Sequence, residues 1–216
     1  MNTRIALIMV CMAGLLVGAL AQTKVEERIP VSGQRELDLD LPFARDIELK
    51  TWDKSEVFVE VQVSINDGED DDLYELEVSS SGGSIYVEAN KDLDRKGGRK
   101  RNCWNMEIFY VIYFPESLEV EAESISGSYS MVYYGKPANF KTISGDVDLT
   151  VPGREGIDFQ VKTISGEVYS DLEIVYPNGK DGLRQLVGTD VSGEVNGGGE
   201  FLDLETISGN IFLRKG

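Results

Sequence analysis

From residue 22 onward, apolar and polar residues alternate along most of the chain with a period of two. Such alternation is typical of β-strands that bury one face and expose the other. The sequence has no amphipathic helical pattern longer than a turn or two, and its prolines fall at strand ends or turns. It therefore predicts an all-β protein, whose amino-terminal strands occupy 35–41, 45–52, 56–65, 73–79, 84–90 and 107–115.

A short phrase around a Ser-Gly pair returns five times in the second half of the chain. The copies are SISGSYS at 124–130, TISGDVD at 142–148, TISGEVY at 163–169, DVSGEVN at 190–196 and TISGNIF at 206–212. A repeat of about 20 residues is too short for two helices and is typical of stacked β units. We therefore predict a single-domain β-solenoid over 22–216, less regular over 22–115 and regular over 116–216. The repeat glycines are Gly127, Gly145, Gly166, Gly193 and Gly209.

The alternation changes phase by one residue at each Thr-Ile step of the repeat. Such a slip would turn buried side chains to solvent unless the backbone bends there. We therefore predict a corner or bulge at Thr142-Ile143, Thr163-Ile164 and Thr206-Ile207, with the isoleucine in the buried parity of the residues that follow. The glycine two residues later shares that parity, so we expect no room for a side chain there. The Thr and Ser hydroxyls should then stack as ladders from unit to unit.

The first 21 residues have the pattern of a secretory signal peptide. Arg4 precedes an apolar run over 5–18, and the small residues at 19–21 predict cleavage before Gln22. The run is shorter than the roughly 20 apolar residues that a membrane span needs, and no second run follows it. We therefore expect a mature protein outside the cytoplasm, in the periplasm, in the medium or at the cell surface, without a transmembrane segment.

The composition narrows the possible chemistry. The chain has 38 acidic and 21 basic residues, a formal net charge of −17, so we expect no nucleic-acid partner. It contains no histidine, which excludes Ser-His and Cys-His catalysis and histidine metal sites. Only Cys103 remains after the signal peptide, so no internal disulfide can form. We expect no cofactor.

An acidic segment, NDGEDDD at 66–72, is a candidate cation site between two predicted strands. Calcium takes about six to eight oxygen ligands, which such carboxylates and nearby carbonyls provide. The spacing does not match an EF-hand loop, so a solvated acidic loop is the favoured interpretation and calcium binding is the alternative. The calcium candidates are Asp67, Asp70, Asp71 and Asp72.

A basic segment, KDLDRKGGRKRN at 91–102, stands out in this acidic protein. Its guanidinium groups match the phosphate or sulfate groups of envelope glycans, and it could equally pair with the acidic surface of another copy. An exposed loop whose charges stay solvated is the favoured interpretation. The candidates for anion or glycan binding are Arg95, Lys96, Arg99, Lys100 and Arg101.

Three stretches together carry a family resemblance. They are DIELKTWDKSEVFVEV at 46–61, FYVIYFPESLEVEAESISG at 109–127 and the repeated TISG-acid-V units. Their order and spacing resemble the bacterial putative-adhesin β-strand repeat family, a domain of unknown function also called the toast-rack domain. The resemblance covers most of the mature chain. It implies an exported β-solenoid with an adhesive, scaffolding or envelope-sensing role, and it implies no catalytic residues.

We therefore predict a non-enzymatic exported protein that binds or scaffolds through its surface. Its partner would be an envelope glycan, another protein or its own copies. The alternative is a carbohydrate-active enzyme with paired carboxylates, because stacked β-coils also host such enzymes. Its candidate acids, Asp146, Glu167 and Glu194, occupy equivalent repeat positions and should form an outward ladder. An envelope-stress sensor is a third hypothesis.

Overall fold

The computed structural model describes residues 22–91, 93, 105–176 and 189–216. Within these ranges lie 17 β-strands and one 3₁₀ turn at Asp71–Leu73, so the predicted all-β class is confirmed. The strands form two mixed sheets, of eight and nine strands, which share one hydrophobic core. The predicted signal peptide at 1–21 lies outside the described residues.

The eight-stranded sheet is antiparallel only at its first end. In spatial order its strands are β1 (Thr23–Pro30), β4 (Glu56–Ile65), β7 (Met106–Pro115), β3 (Asp46–Trp52), β9 (Ser128–Val132), β11 (Val147–Val151), β17 (Ile211–Lys215) and β13 (Val168–Ser170). The strand β4 is antiparallel to both β1 and β7, and every later pair from β7 to β13 is parallel.

The nine-stranded sheet has antiparallel strands at both ends and a parallel centre. In spatial order its strands are β14 (Ile174–Val175), β15 (Thr189–Val195), β12 (Ile157–Thr163), β16 (Glu200–Thr206), β10 (Ala138–Thr142), β8 (Glu119–Ser124), β2 (Glu36–Asp40), β6 (Ser84–Ala89) and β5 (Leu76–Ser81). The pairs from β12 to β6 are all parallel.

Successive strands of the chain form rungs, each with one strand in either sheet and a corner between them. The rungs are β2/β3, β8/β9, β10/β11, β16/β17 and β12/β13, in the order in which they stack. Both sheets have this same order, so corresponding residues of neighbouring rungs lie side by side. Four of the five predicted repeat units are therefore stacked in register.

The stacking order differs from the order along the chain, and a simple solenoid is not confirmed. The last rung in sequence, β16/β17, lies between β10/β11 and β12/β13. After β13 the chain runs through β14 and β15, which cover the outer edge of β12, and β16 then pairs with its inner edge. A repeat in the sequence identifies equivalent units, but it contains no information on which unit pairs with which.

One of the five predicted repeat units is not a rung corner. All but the last residue of the phrase at 190–196 lies within β15, and Gly193 stands opposite Phe159 in an antiparallel pair. A Cβ atom on Gly193 would lie 2.7 Å from Ile174 Cγ2 and 2.9 Å from the Phe159 ring, so this glycine leaves space for side chains. Its assignment to the stacked units is corrected: the segment Val-Ser-Gly-acid-Val forms a strand between β14 and β12 instead of a corner.

The core lies between the two sheets and explains the alternation in the sequence. Along β12, Ile157, Phe159 and Val161 are fully buried, whereas the residues between them are half-exposed. Burial of each such side chain contributes about 1.5–3 kcal/mol, so the apolar parity determines which face of a strand turns inward.

Candidate functional site

The Thr and Ser hydroxyls of the corners form a buried ladder that joins the rungs. The Thr142 hydroxyl donates to the carbonyl oxygen of Gly127 in the next rung, at 3.1 Å, and accepts from the Gly145 N–H, at 3.2 Å. Thr206 and Thr163 make the same two hydrogen bonds, and Ser124 does so with Leu41 as acceptor. These hydroxyls satisfy backbone groups, which is a structural role and not that of a nucleophile.

The repeat glycines allow the corners to stack closely. A Cβ atom on Gly145 would lie 1.9 Å from the Gly127 carbonyl oxygen, and one on Gly209 would lie 1.8 Å from that of Gly145. Gly166 meets the Gly209 carbonyl at 1.7 Å, and Gly127 has side chains of the β2/β3 rung within 3.0 Å. At Gly145, Gly166 and Gly209 the neighbouring backbone requires the absence of a side chain, and at Gly127 closely packed side chains do so.

The residue after each corner glycine forms a second polar ladder. Ser128 Oγ accepts from the N–H of Asp146 at 3.1 Å, and Asp146 Oδ1 accepts from the N–H of Asn210 at 2.7 Å. Asn210 Oδ1 in turn accepts from the N–H of Glu167 at 3.0 Å. The acidic position of the repeat therefore supplies an acceptor to the next rung.

Two of the three candidate acids of the alternative enzyme, Asp146 and Glu167, belong to this second ladder. Asp146 and Glu167 lie on rungs that are separated by the Asn210 rung, and Glu167 is exposed and bonded to the Tyr169 hydroxyl. Glu194 lies in the other sheet, opposite Asp158 and Val175. The structure does not bring the three carboxylates together.

The corner isoleucines face solvent, and the prediction that they turn inward is wrong. Ile125, Ile143, Ile207 and Ile164 are 46, 45, 39 and 50% exposed, because the buried position of the bend is taken by the preceding Ser or Thr. Backbone hydrogen bonds of 2.9 Å from Ser144 to Ile125, from Ser208 to Ile143 and from Ser165 to Ile207 make these corners adjacent. We call these four side chains the isoleucine ladder.

The acidic segment at 66–72 forms a tight turn held by its own carboxylates. Asp71 is buried and its Oδ1 accepts from the Ile65 N–H at 2.7 Å, while Asp70 Oδ2 accepts from Asn66 Nδ2 at 2.5 Å. Asp67 and Asp72 are exposed on the outside of the turn. Among the residues that the structure describes, no three acidic or cysteine side chains come together as a metal-binding group.

Of the basic segment at 91–102, only Lys91 and the buried Leu93 are described. Lys91 forms an ion pair with Asp40, which raises the pKa of the lysine. The candidates Arg95, Lys96, Arg99, Lys100 and Arg101 lie outside the described residues, as does Cys103.

Three aromatic side chains lie together on the outer face of the eight-stranded sheet. Phe58 and Tyr113 face each other across β4 and β7, and Trp52 at the end of β3 completes the group. The ring centroids of Trp52 and Tyr113 are 5.3 Å apart, those of Phe58 and Tyr113 6.0 Å and those of Trp52 and Phe58 6.2 Å. The ring planes differ by only 15–30°, so we call this group the aromatic platform.

Cationic side chains surround the aromatic platform. The Arg28 guanidinium lies 3.8 Å from the Phe58 ring centroid, and the ammonium groups of Lys54 and Lys50 lie 4.3 Å from Trp52 and 5.7 Å from Tyr113. Such cation–π contacts are favourable by about 0.5–1 kcal/mol at exposed sites. Arg28 and Lys50 are also ion-paired, with Glu56 at 2.9 Å and with Glu48 at 2.8 Å, so neighbouring carboxylates balance their charges.

A hydrogen bond to the backbone fixes the orientation of the Trp52 indole in the aromatic platform. Trp52 Nε1 donates to the carbonyl oxygen of Glu56 at 2.8 Å, so the indole bridges from β3 to β4 across β7. Trp52 and Tyr113 are half-buried, and Phe58 is buried beneath the Arg28 side chain. The available aromatic surface therefore belongs to Trp52 and Tyr113, on neighbouring strands of a rigid sheet.

Sequence reasoning did not find the aromatic platform. Its only signal is that Phe58 and Tyr113 fall in the outward parity of strands whose inward residues are apolar. The residues become neighbours through the antiparallel register of β4 with β7 and the parallel pairing of β7 with β3. Neither pairing can be read from one sequence.

The outer face of the nine-stranded sheet is strongly acidic. In one row across the sheet, Asp38 lies opposite Glu121, and Asn139 separates Glu121 from Asp203. Burial raises the pKa of Asp38 above its usual value, and the neighbouring carboxylates, Glu121 foremost, raise it further. Burial raises the pKa of Asp203 as well. The aromatic platform differs from this face in having cations next to its rings.

Comparison with known proteins supports the fold. No protein-family model and no curated protein sequence matches the chain. A crystal structure described as a putative cell adhesion protein from Clostridium sporogenes matches with 14% identity and a TM-score of 0.56, covering 90% of this chain and all of that one. A putative adhesin from Bacteroides fragilis matches with 8% identity and a TM-score of 0.32, covering 89% of this chain and 97% of that one.

The Clostridium sporogenes protein is described as a putative cell adhesion protein, which agrees with the resemblance found in the sequence. Among the described residues, no helix is long and apolar enough to span a membrane. The identities are low, so the likeness to the Clostridium sporogenes protein concerns the fold, which this chain shares over most of its length.

Proposed function

We propose that the protein is an exported, non-enzymatic adhesin or envelope-binding module that acts after removal of residues 1–21. One domain over 22–216 carries the function at the cell surface or in the periplasm, and its stacked rungs act as a solenoid-like scaffold. The signal-peptide pattern and the fold shared with a putative cell adhesion protein support this proposal.

The observation that carries the proposal is the aromatic platform with its cations. The rings of half-buried Trp52 and Tyr113 have their centroids 5.3 Å apart, and aromatic rings pack against the apolar C–H face of a sugar ring. The Lys54 ammonium group lies over the Trp52 ring, 4.3 Å from its centroid, and attracts a carboxylate or sulfate group, while Lys50, 5.7 Å from Tyr113, is paired with Glu48. The ligand class that fits both features is an acidic glycan.

The position of the aromatic platform suits a binding module. Its rings lie on three neighbouring strands, and the Trp52–Glu56 hydrogen bond holds the indole in place before a ligand arrives. A preorganised surface loses little side-chain entropy on binding, which favours affinity. The predicted candidates Arg95, Lys96, Arg99, Lys100 and Arg101 remain a second proposed contact for the same anionic chain.

A glycan array with the mature chain tests the proposal. We expect retention of uronic-acid or sulfated glycans, weakened at least about tenfold by Trp52→Ala, because central aromatic contacts commonly contribute about 2 kcal/mol or more. The matched control is Phe201→Ala, which removes an aromatic side chain that is 49% exposed on the other sheet. Circular dichroism and thermal unfolding of each variant separate lost binding from lost folding.

Further arms of the same array separate the candidate sites. Loss of binding in Arg99→Ala/Lys100→Ala/Arg101→Ala, but not in Trp52→Ala, would move the site to the basic segment. A signal that appears only with calcium would move attention to Asp67, Asp70, Asp71 and Asp72. Failure of the mature chain to retain any glycan would refute the proposed glycan-binding function.

A further inference from the structure

The isoleucine ladder is an apolar strip on the outside of an acidic protein. Its four side chains are each 39–50% exposed and follow one another at the corners of four adjacent rungs. With rungs spaced by about 4.8 Å, the strip is about 15 Å long. Single exposed apolar residues need no explanation, but four in a row at adjacent corners mark a surface for association.

A row of alternating charge runs beside the ladder, two residues earlier on each rung. In stacking order it reads Glu123, Lys141, Glu205 and Lys162, each directly opposite the next across the parallel strands. Lys162 Nζ lies 2.9 Å from Glu205, and Lys141 Nζ lies 3.7 Å from Glu123. The strip therefore has a rim of alternating negative and positive groups.

We propose that the isoleucine ladder binds a second copy of this chain in a two-fold symmetric dimer. The axis crosses the ladder at a right angle between Ile143 and Ile207, so the two ladders run in opposite directions. Ile125 then meets Ile164 of the second copy, and Ile143 meets its Ile207. Two ladders with the same spacing along the stack can pack side chain against side chain over their whole length.

Charge complementarity favours a second copy of the chain as the molecule that binds the isoleucine ladder. Reversal of the row places Glu123 against Lys162 of the second copy and Lys141 against its Glu205. All four symmetry-related contacts then join opposite charges. A two-fold interface requires such a self-complementary surface, and few unrelated proteins would reproduce its alternation and its spacing together.

The polar row on the other side of the isoleucine ladder also favours the antiparallel arrangement. There the row is Ser128, Asp146, Asn210 and Glu167, and reversal places Asp146 against Asn210 and Ser128 against Glu167. A parallel dimer would instead need Lys141 and Lys162 to pair with Asp146 and Glu167. Asp146 already accepts from Asn210 and Glu167 from Tyr169, so both acids of a parallel dimer are engaged. In the antiparallel dimer the Lys162–Glu205 ion pair is also already formed within one chain, but Lys141 lies 3.7 and 3.9 Å from its described partners.

The short strip predicts a weak dimer. Stable protein interfaces bury about 800 Å² per partner, more than four isoleucines and their rim provide. Self-repulsion between two strongly acidic chains lowers the affinity further. Such a weak dimer becomes functional when copies are concentrated at one surface, where a multivalent array of proteins gains avidity.

Sedimentation of the mature chain at concentrations up to about 1 mM tests the dimer, since interfaces below standard size associate weakly. We expect Ile143→Ser/Ile207→Ser to abolish it. The matched control Val132→Ser, which changes an apolar residue that is 59% exposed on another face, should leave it intact. Circular dichroism and thermal unfolding show whether each variant stays folded.

A charge exchange tests the direction of the dimer. Glu123→Lys and Lys162→Glu should each weaken association about three- to tenfold, because each changes two symmetry-related contacts. The double variant should return to within about twofold of the original affinity. Glu123 and Lys162 lie three rungs apart in one chain, about 14 Å, so their coupling must arise between copies.

Two results would overturn the proposal. A mature chain that stays monomeric throughout the concentration range would remove the dimer. Additive losses in the double variant would refute the antiparallel arrangement of the two ladders. Neither result bears on glycan binding at the aromatic platform, which lies on the outer face of the eight-stranded sheet.

Discussion

The hydroxyl of Thr206 donates a hydrogen bond to the carbonyl oxygen of Gly145 at 3.0 Å and so joins two rungs that are 61 residues apart in sequence. The Thr206 hydroxyl oxygen also accepts from the Gly209 N–H within its own corner, again at 3.0 Å. Thr206 is fully buried, so no water can replace either hydrogen bond. Each corner thus depends on one side chain for two backbone groups.

Replacement of this hydroxyl should be costly although the volume hardly changes. We expect Thr206→Val to lower the free energy of unfolding by about 1–3 kcal/mol, because a buried donor and a buried acceptor lose their partner. Thr206→Ser retains the hydroxyl and should lose less. Urea unfolding followed by circular dichroism measures the change, with Thr150→Val as control on the half-exposed outer face. Equal losses in Thr206→Val and the control would contradict this role.

The corner glycines should tolerate no side chain at all. A Cβ atom on Gly209 would lie 1.8 Å from the carbonyl oxygen of Gly145, which is backbone and cannot rotate away. We therefore expect Gly209→Ala to destabilise the fold by about 3 kcal/mol or more, as overpacking and lost hydrogen bonds combine. Thermal unfolding measures the loss.

Gly153→Ala is the matched control for the corner glycine. A Cβ atom on Gly153 would lie 3.7 Å from its nearest neighbour, the Gly216 carbonyl oxygen, which is an ordinary contact distance. The free energy of unfolding of Gly153→Ala should therefore differ from that of the original protein by less than about 0.5 kcal/mol. A Gly209→Ala variant as stable as Gly153→Ala would show that the rungs are less closely stacked than the structure describes.

The sequence predicts the local features of the stack better than its assembly. Period-two alternation identifies the strands, and the phase slip identifies the corners, because both follow from which side chains are buried. The sequence predicts inward-facing isoleucines because parity alone does not reveal that the bend itself buries Thr142 and exposes Ile143. The position of β16/β17 inside the stack depends on pairing between distant segments, which leaves no local signal.

The candidate surfaces were harder to predict for the same reason. The aromatic platform needs Trp52, Phe58 and Tyr113 from three strands, and only the sheet register makes them neighbours. The sequence instead favours the acidic and basic segments as candidate sites, because runs of charge are visible in a sequence. In the structure, however, Asp70 and Asp71 of the acidic segment hold their own turn together.

Two tyrosines form a buried hydrogen-bonded pair that a double-variant cycle can test. The hydroxyls of Tyr74 and Tyr110 are 2.9 Å apart, and burial raises the pKa of both. Tyr110→Phe should lower the free energy of unfolding by about 1–2 kcal/mol, since the Tyr74 hydroxyl is left buried without its partner. Tyr74→Phe/Tyr110→Phe removes both hydroxyls and should be more stable than the sum of single losses predicts. Strictly additive urea-unfolding values would argue against the pair.

The acidic outer face of the nine-stranded sheet should make stability fall as pH rises. Burial, then the carboxylates of Glu121, Glu36, Glu88 and Asp40, raise the pKa of Asp38 above its usual 3.8. A carboxyl group whose pKa is raised by folding binds its proton more tightly in the folded than in the unfolded state. Its stabilising contribution is present below pH 3.8 and is lost as pH rises through the raised pKa of the folded state.

Asp38→Asn removes this titration and should stabilise the protein at neutral pH. We expect a gain of about 0.5 kcal/mol at pH 7, because like charges directly opposite on paired strands repel, and almost no gain near pH 3.5. Urea unfolding at several pH values measures the difference between variant and original protein. The control Asp46→Asn, at an exposed position of the other sheet, tests whether a lower net charge alone explains the gain. A gain from Asp38→Asn that does not change with pH would refute the electrostatic explanation, because only an ionised carboxylate can be repelled by its neighbours.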